Sequence, residues 1–372
     1  MRVLVVFSSS ELGGAERSLT RMALAAAGDV EFSLATLDGH GPWTAWCQEM
    51  GAVPIVLGRR SRSGSHGHFG FGAIARLVGR IRRDRFDAVY LIGLRASVLV
   101  RLVKPLLRGA RLVHGVRWNP GSNSRLDRAF RIFERLLQRQ IDLYICNSRA
   151  AAKTLESRVG IPESKIAMIH NGLDYLPARG KPLSNRPMRV VTVANLSPRK
   201  GHLEFLDVIE EVLRRQPRAQ FVFIGRDDMA GRLDKEVERR GLQGAVTMAG
   251  FQADVGSWLG EARLMVLPSL WAEGCPTSIL EAYAYGVPVV AYAIDGVPEL
   301  IENEEDGILV RPRDQIGLAN ALVRLLEDEA LAQRMASAGR AKVESRFSVD
   351  RCAQMHNASF ARLMSNSGQK EG

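Results

Sequence analysis

A two-domain α/β protein built on parallel sheets is the fold class that three features of this sequence predict. The 372 residues are too many for one ordinary hydrophobic core. Short apolar runs alternate with helical patterns along most of the chain, the signature of strand–helix units whose strands run parallel. A strand, a glycine-bearing or basic loop, and a helix follow one another at two places, before residue 27 and again after residue 189.

In the first half, strands are expected at Val3–Phe7, Glu31–Thr36, Val53–Leu57, Ala88–Ile92, Arg111–Gly115, Leu143–Cys146 and Ile166–Ile169. The first of them follows Met1 directly and gives way to polar Ser8-Ser-Ser, so it reads as a strand and not as a signal peptide. Gly13-Gly14 then opens a helix running to about Ala27. The full G-x-G-x-x-G pattern is absent, and the two glycines suit a tight turn as well as a close approach to phosphate. Gly58–Gly70 is a polar stretch with the composition of a flexible loop.

Two basic helices come next. In one, Ile74, Leu77, Val78 and Ile81 share a face away from Arg76, Arg80 and Arg83. In the other, about 125–140, Leu126, Phe130, Phe133 and Leu137 oppose Arg128, Arg131, Arg135 and Arg139. Both patterns fit packing on the sheet with solvated arginines, and both fit an anionic membrane surface, where each basic residue contributes ~1 kcal/mol. His114 lies at the end of a strand, where ligands of open α/β sheets gather. Asn147-Ser148 is a helix-capping signal. Pro177, Lys181, Pro182, Asn185 and Pro187 mark a linker, placing the domain boundary near 183.

The second half predicts strands at Arg189–Ala194, Gln220–Gly225 and Ala245–Ala249, an apolar run at Leu264–Leu267 leading to Pro268-Ser269, and a helical chain after Gly307-Ile-Leu-Val310. Its first loop, Asn195-Leu-Ser-Pro-Arg-Lys-Gly-His202, presents Arg199 and Lys200 to any anion held there. The most informative stretch runs from Trp271 to Tyr292 and reads as loop, helix, turn and buried strand. Pro276 suits the first helical position and Gly286 the left-handed residue that ends a helix, so the helix should cover about 276–285. Its first turn leaves the amides of Thr277 and Ser278 available to a phosphate. Glu273 precedes this anion site and Glu281 lies one turn after Thr277 on the same face. Two carboxylates beside a phosphate pocket suit a molecule phosphorylated in the middle and hydroxylated at both ends.

Glu273 and Glu281, followed by Gly286-Val-Pro-Val-Val and Gly296-Val-Pro-Glu-Leu, resemble the donor-binding signature of the family 4 retaining glycosyltransferases. The resemblance covers nearly the whole chain. It implies a GT-B architecture, two Rossmann-like domains facing each other across a cleft: an acceptor-binding domain of residues 1–183 and a nucleotide-sugar-binding domain of residues 184–348. A last helix, about 349–366, is implied to cross back to the first domain. The implied reaction moves a sugar from a nucleoside diphosphate to a hydroxyl acceptor with retained configuration.

The same resemblance assigns roles residue by residue. Lys200-Gly201 matches the diphosphate-binding lysine of the family. Where members more often have Gly-Arg this chain has Ala194-Asn195, which leaves Arg199 to replace the second cation beside Asn195. Glu281 is implied to hold ribose hydroxyls and Glu273 the sugar, with Cys275, Pro276, Thr277 and Ser278 around the diphosphate and Phe251 near the base. Gly13 and Gly14 are implied to face donor phosphates and acceptor, and His114 the donor sugar. No Asp-x-Asp metal motif occurs, and neither metal nor other cofactor is expected if cationic side chains take the metal's place.

Charge narrows the partners. Residues 1–183 hold 28 Lys/Arg against 14 Asp/Glu, net +14; residues 184–372 hold 23 against 26, net −3. The basic half points to an anionic partner: nucleic acid, an anionic membrane surface, or a phosphorylated acceptor such as a lipid-linked glycan. Nucleic acid is not expected, because aromatic residues do not interleave with the arginines and no reading module is recognisable. A nucleotide-sugar epimerase or phosphorylase is the alternative enzyme reading. Cys47, Cys146, Cys275 and Cys352 are scattered without a CxxC, which fits a reducing compartment. Leu91–Leu107 comes nearest to a spanning helix, but Arg95, Arg101 and Lys104 interrupt it. The expected location is therefore cytoplasmic, with the inner membrane face as the possible peripheral site.

Overall fold

The computed structural model describes residues 1–59, 71–178 and 181–365, so most of the Gly58–Gly70 stretch lies outside the described residues. The chain forms two compact units, one of Met1–Asp174 with the helix from Val349, the other Tyr175–Ser348. The division falls ahead of the expected residue 183. Arg186 accounts for the difference: its guanidinium donates to the carbonyls of Lys181, Leu259, Ala262 and Tyr285, tying the proline-rich segment into the second unit.

The first unit carries a seven-stranded parallel sheet in the order β3-β2-β1-β4-β5-β6-β7. Its strands are β1 (Arg2–Phe7), β2 (Glu31–Thr36), β3 (Ile55–Val56), β4 (Ala88–Ile92), β5 (Arg111–Val116), β6 (Leu143–Cys146) and β7 (Ile166–Met168). Between them run α1 (Gly14–Ala25), α2 (Pro42–Glu49), α3 (Phe71–Asp84), α4 (Leu94–Leu102), α5 (Arg125–Leu137) and α6 (Arg149–Thr154), the last capped by the Ser148 side chain. Side chains alternate across each strand, so Leu4 and Val6 meet one buried layer while Val3, Val5 and Phe7 meet the other. Cys352 and Phe360 of the final helix fill the second layer, with the Phe360 ring set edge-on to Tyr90 at 5.7 Å.

The second unit has six parallel strands in the order β10-β9-β8-β11-β12-β13. They are β8 (Arg189–Val193), β9 (Gln220–Ile224), β10 (Val246–Gly250), β11 (Leu264–Leu267), β12 (Val289–Tyr292) and β13 (Gly307–Val310). The helices are α7 (His202–Arg215), α8 (Arg232–Arg239), α9 (Gly256–Glu261), α10 (Thr277–Ala284), α11 (Gln315–Glu327) and α12 (Glu329–Arg346); α13 (Val349–Ser365) belongs to the first unit. The strand order reverses direction between β8 and β11, the place where open α/β sheets hold ligands. Gly201, at φ +71°, joins the loops that leave these two strands. A Cβ there would sit 2.1 Å from the Pro268 carbonyl oxygen, so only glycine lets them meet.

Two expectations from periodicity are corrected. Leu126, grouped in the sequence on one apolar face with Phe130, Phe133 and Leu137, departs from that face and is 62% exposed, and α5 ends at Leu137 before a 3-10 turn at Gln138–Gln140. The inward face of α5 instead holds Asp127, Phe130 and Glu134. Glu134 is buried in a polar cluster: Arg101 Nη2 donates to both carboxylate oxygens at 2.8 Å, the Tyr144 hydroxyl donates at 2.6 Å, and His114 Nδ1 lies at 3.0 Å. Burial pushes the carboxyl up, but His114, Arg101 and Tyr144 together outweigh it and hold the acid down to about 2.

Because that acid ordinarily titrates at 4.5, its contribution to stability is complete above 4.5 and is lost as pH falls towards 2; the full drop corresponds to about 3 kcal/mol. Thermal unfolding of Glu134→Gln is therefore expected to be destabilised near neutral pH and to lose most of the acid dependence that the parent shows in this window. Gly201→Ala is expected to cost about 2 kcal/mol or more in denaturant unfolding, since it combines a left-handed backbone with a backbone clash.

Candidate active site

Three neighbouring strands, β8, β11 and β12, send their C-terminal loops to the same end of the second sheet. The β8 loop brings Lys200 and Arg199, the β11 loop brings Glu273 and the start of α10, and the β12 loop brings Asp295. The first two loops are tied by the Leu270 N–H donating to the Arg199 carbonyl at 2.8 Å. Lys200 Nζ then donates to Glu273 Oε1 at 2.5 Å, with the two side chains 11% and 5% exposed. Arg199, 42% exposed, approaches the same oxygen at 4.0 Å and donates to the Ala272 carbonyl.

Burial opposes ionisation of Glu273, yet Lys200 and Arg199 outweigh it and keep its carboxyl below the ordinary range. Burial also lowers Lys200, against the pull of Glu273. The two cations thus pull the carboxyl towards its ionised form, while burial and the carboxylate act on the lysine in opposite directions. Ala272, just before it, has φ +63°, a left-handed conformation that a residue with a side chain adopts only where its surroundings enforce it. The enforcing contact includes the Glu273 N–H, which donates to Asp295 Oδ2 at 3.0 Å. Asp295 was missed in the sequence; the only signal is an acidic residue directly ahead of the Gly296-Val-Pro stretch.

Helix α10 begins one residue later than expected. Pro276 is its cap, with φ −64° and ψ 113°, and Thr277 is the first helical residue. No side chain caps this end, and the first backbone bond is the Ile279 N–H to the Pro276 carbonyl. The Thr277 and Ser278 amides therefore have no partner within the helix, as an anion site at a helix start requires. Gly286 takes the expected left-handed conformation at φ +62°. Glu281, one turn after Thr277, is buried, as are Cys275 and Ser278. Asn195 turns its carbonyl to the Arg226 N–H at 3.2 Å, which aligns the ends of β8 and β9. Phe251 follows Gly250 at the end of β10 and stands exposed.

The first unit holds the other three candidates. Gly13 caps α1 with an extended backbone and Gly14 is its first residue, so the turn after β1 is a helix start without a side-chain cap. His114 departs from the sequence expectation. It is the fourth of six residues in β5 and not its end, its ring is fully buried, and it packs on Phe130 and Tyr144 beside Glu134. A side chain with no exposed surface in that core is a partner of Glu134; this geometry gives it no contact with a sugar.

Among the described residues no group of acidic, histidine or cysteine side chains is arranged to hold a metal ion, and no helix is long and apolar enough to cross a membrane. All four cysteines are buried free thiols.

Residues 12–175 match Glycosyltransferase Family 4, and residues 178–342 match the glycosyl transferases of group 1. An amylovoran biosynthesis glycosyltransferase of Erwinia amylovora is 31% identical over 51% of this chain and 49% of its own length. The Escherichia coli UDP-Gal:alpha-D-GlcNAc-diphosphoundecaprenol alpha-1,3-galactosyltransferase is 25% identical over 68% of this chain and 69% of its own. The match thus spans about half the length of the first of these relatives. HepE from Anabaena, solved in complex with UDP and glucose, superposes with a TM-score of 0.83 at 24% identity over 97% of this chain and 99% of that one, which supports a GT-B fold. The two family matches together take in nearly all of both units, and the chain belongs to the group 1, family 4 glycosyltransferases.

Proposed function

We propose that the protein transfers a sugar, with retention of configuration, from a nucleoside-diphosphate donor to a hydroxyl of a lipid-linked or polysaccharide acceptor at the inner membrane face. The observation that carries this reading is the Lys200–Glu273 pair beside the uncapped start of α10. In the reaction the bond between the sugar and the diphosphate breaks as a bond to the acceptor oxygen forms on the same side, and the acceptor's hydroxyl proton passes to the departing diphosphate oxygen. Negative charge grows on the departing diphosphate, so fixed donors around it lower the barrier most. Lys200, Arg199 and the Thr277 and Ser278 amides would supply them. Glu281 would bind ribose hydroxyls and Glu273 the sugar hydroxyls, each as a paired acceptor. Cationic side chains would perform the work for which other enzymes use a metal.

The acceptor class is supported by the E. coli relative, whose name specifies a diphosphoundecaprenol-linked substrate, and by the E. amylovora one, whose name places it in amylovoran biosynthesis. A uridine diphosphate donor is supported by the same E. coli name and by the HepE complex. The basic first half fits a phosphorylated acceptor.

Lys200→Ala and Glu281→Ala, each checked for a retained thermal transition, are expected to lower transfer at least about a hundredfold. Turnover at the parent rate in both would remove the mechanism. A donor-only incubation separates the alternatives: transfer requires the acceptor, whereas rapid conversion of the donor to an isomer without one would identify an epimerase.

A further inference from the structure

We infer that the outer face of α5 seats on an anionic lipid bilayer. The helix is apolar on two sides. One side, with Phe130, closes the core of the first unit, and the other leaves Leu126, Ile132 and Leu136 exposed at 62%, 62% and 74%. At the angular step of an α-helix these three and Ala129 fall within an arc of roughly 120°. Arg128 and Arg135 lie along one flank of that arc, Arg125 falls within it at the start of the helix, and Arg139 follows in the 3-10 turn at its end. Among the described residues no carboxylate pairs with these four, and Arg135 donates to the backbone carbonyl of Arg158.

The sign of the charge selects the occupant. From Leu94 to Arg139 the chain has 11 Lys/Arg and two acidic residues, and both acids, Asp127 and Glu134, point into the unit. Arg101 is buried against Glu134, and Arg95, Lys104 and Arg111 pair with Asp38 and Asp142, so the cationic surface beside exposed apolar side chains is that of α5. The Arg101 guanidinium, stacked over the Phe133 ring at 4.9 Å and bonded to Glu134, fixes the neighbouring end of α4 against α5, where Leu102 is also exposed. A lipid headgroup layer accepts the arginines at its phosphates and the leucines just beneath, as amphipathic interfacial helices require. The other basic helix lacks such a face: Leu77, Val78 and Ile81 of α3 are buried, and Arg80 and Arg83 pair with Asp84.

This inference deepens the lipid-linked acceptor reading by naming the surface that would bring the enzyme to its substrate, and it can fail while that reading stands. The test is co-sedimentation of the full chain, at low salt, with vesicles of equal parts phosphatidylcholine and phosphatidylglycerol, against phosphatidylcholine alone. The parent is expected to pellet with the mixed vesicles only. Leu126→Ser/Ile132→Ser/Leu136→Ser is expected to stay in the supernatant, and Arg125→Gln/Arg128→Gln/Arg139→Gln to lose about a hundredfold in partitioning, about fivefold for each arginine. Circular dichroism melting and uridine diphosphate binding should match the parent in both variants, which shows that the fold and the donor site are intact. A parent that ignores the mixed vesicles, or variants that pellet as well as it does, would overturn the assignment of this face and leave the transfer reaction untouched. A serine variant that changes only the sedimenting mass would assign the face to a second copy of the chain and overturn it as well. Loss of uridine diphosphate binding by the parent would count against the donor reading instead.

Discussion

Lys200 and Glu273 stand 73 positions apart in the sequence and meet as a nearly dry ion pair. Neither charge would be stable there without the other, because an unpaired buried ion costs several kcal/mol. The rest of the second unit serves to bring the two together. Strand order sets their loops side by side, Gly201 removes the side chain that would hold the loops apart, and the left-handed Ala272 turns Glu273 inward. Asp295 completes the arrangement by holding the Glu273 amide.

This arrangement places a cation whose charge depends on a carboxylate next to helix amides that attract anions. Arg199 is closer to solvent than the pair and so adds positive charge without a desolvation cost of the same size. It approaches the Glu273 carboxylate at 4.0 Å, while the Asn195 side chain accepts from the Arg226 N–H of the next strand's loop.

The parts of the fold legible in the sequence are those where burial is uniform. Strands such as Glu31–Thr36, Ala88–Ile92, Leu143–Cys146 and Leu264–Leu267 lie where the apolar runs put them, because parallel strands covered on both faces leave little room for other patterns. The helix carrying Glu281 was legible from its proline and glycine punctuation to within one residue at either end. Helix α5 was legible as a helix but not in its packing, because it is apolar on two faces and its inward face contains Asp127 and Glu134. Periodicity treats those as surface residues, whereas Trp118 and Ser122 satisfy the first and Arg101 and Tyr144 the second. The reading of His114 failed for a related reason. Strand β5 continues to Val116, and the alternation of side chains turns residue 114 into the same buried cluster. In both cases the deciding fact is a partner distant in sequence, which no local pattern contains.

The central claim is that a diphosphate binds where Lys200 and the start of α10 meet. Calorimetric titration of the protein with uridine, uridine monophosphate and uridine diphosphate tests it most directly. The account predicts that the second phosphate strengthens binding by about tenfold or more, and that Lys200→Met abolishes this gain while binding uridine as the parent does. Equal affinity for the monophosphate and the diphosphate, or an undiminished gain in Lys200→Met, would contradict it.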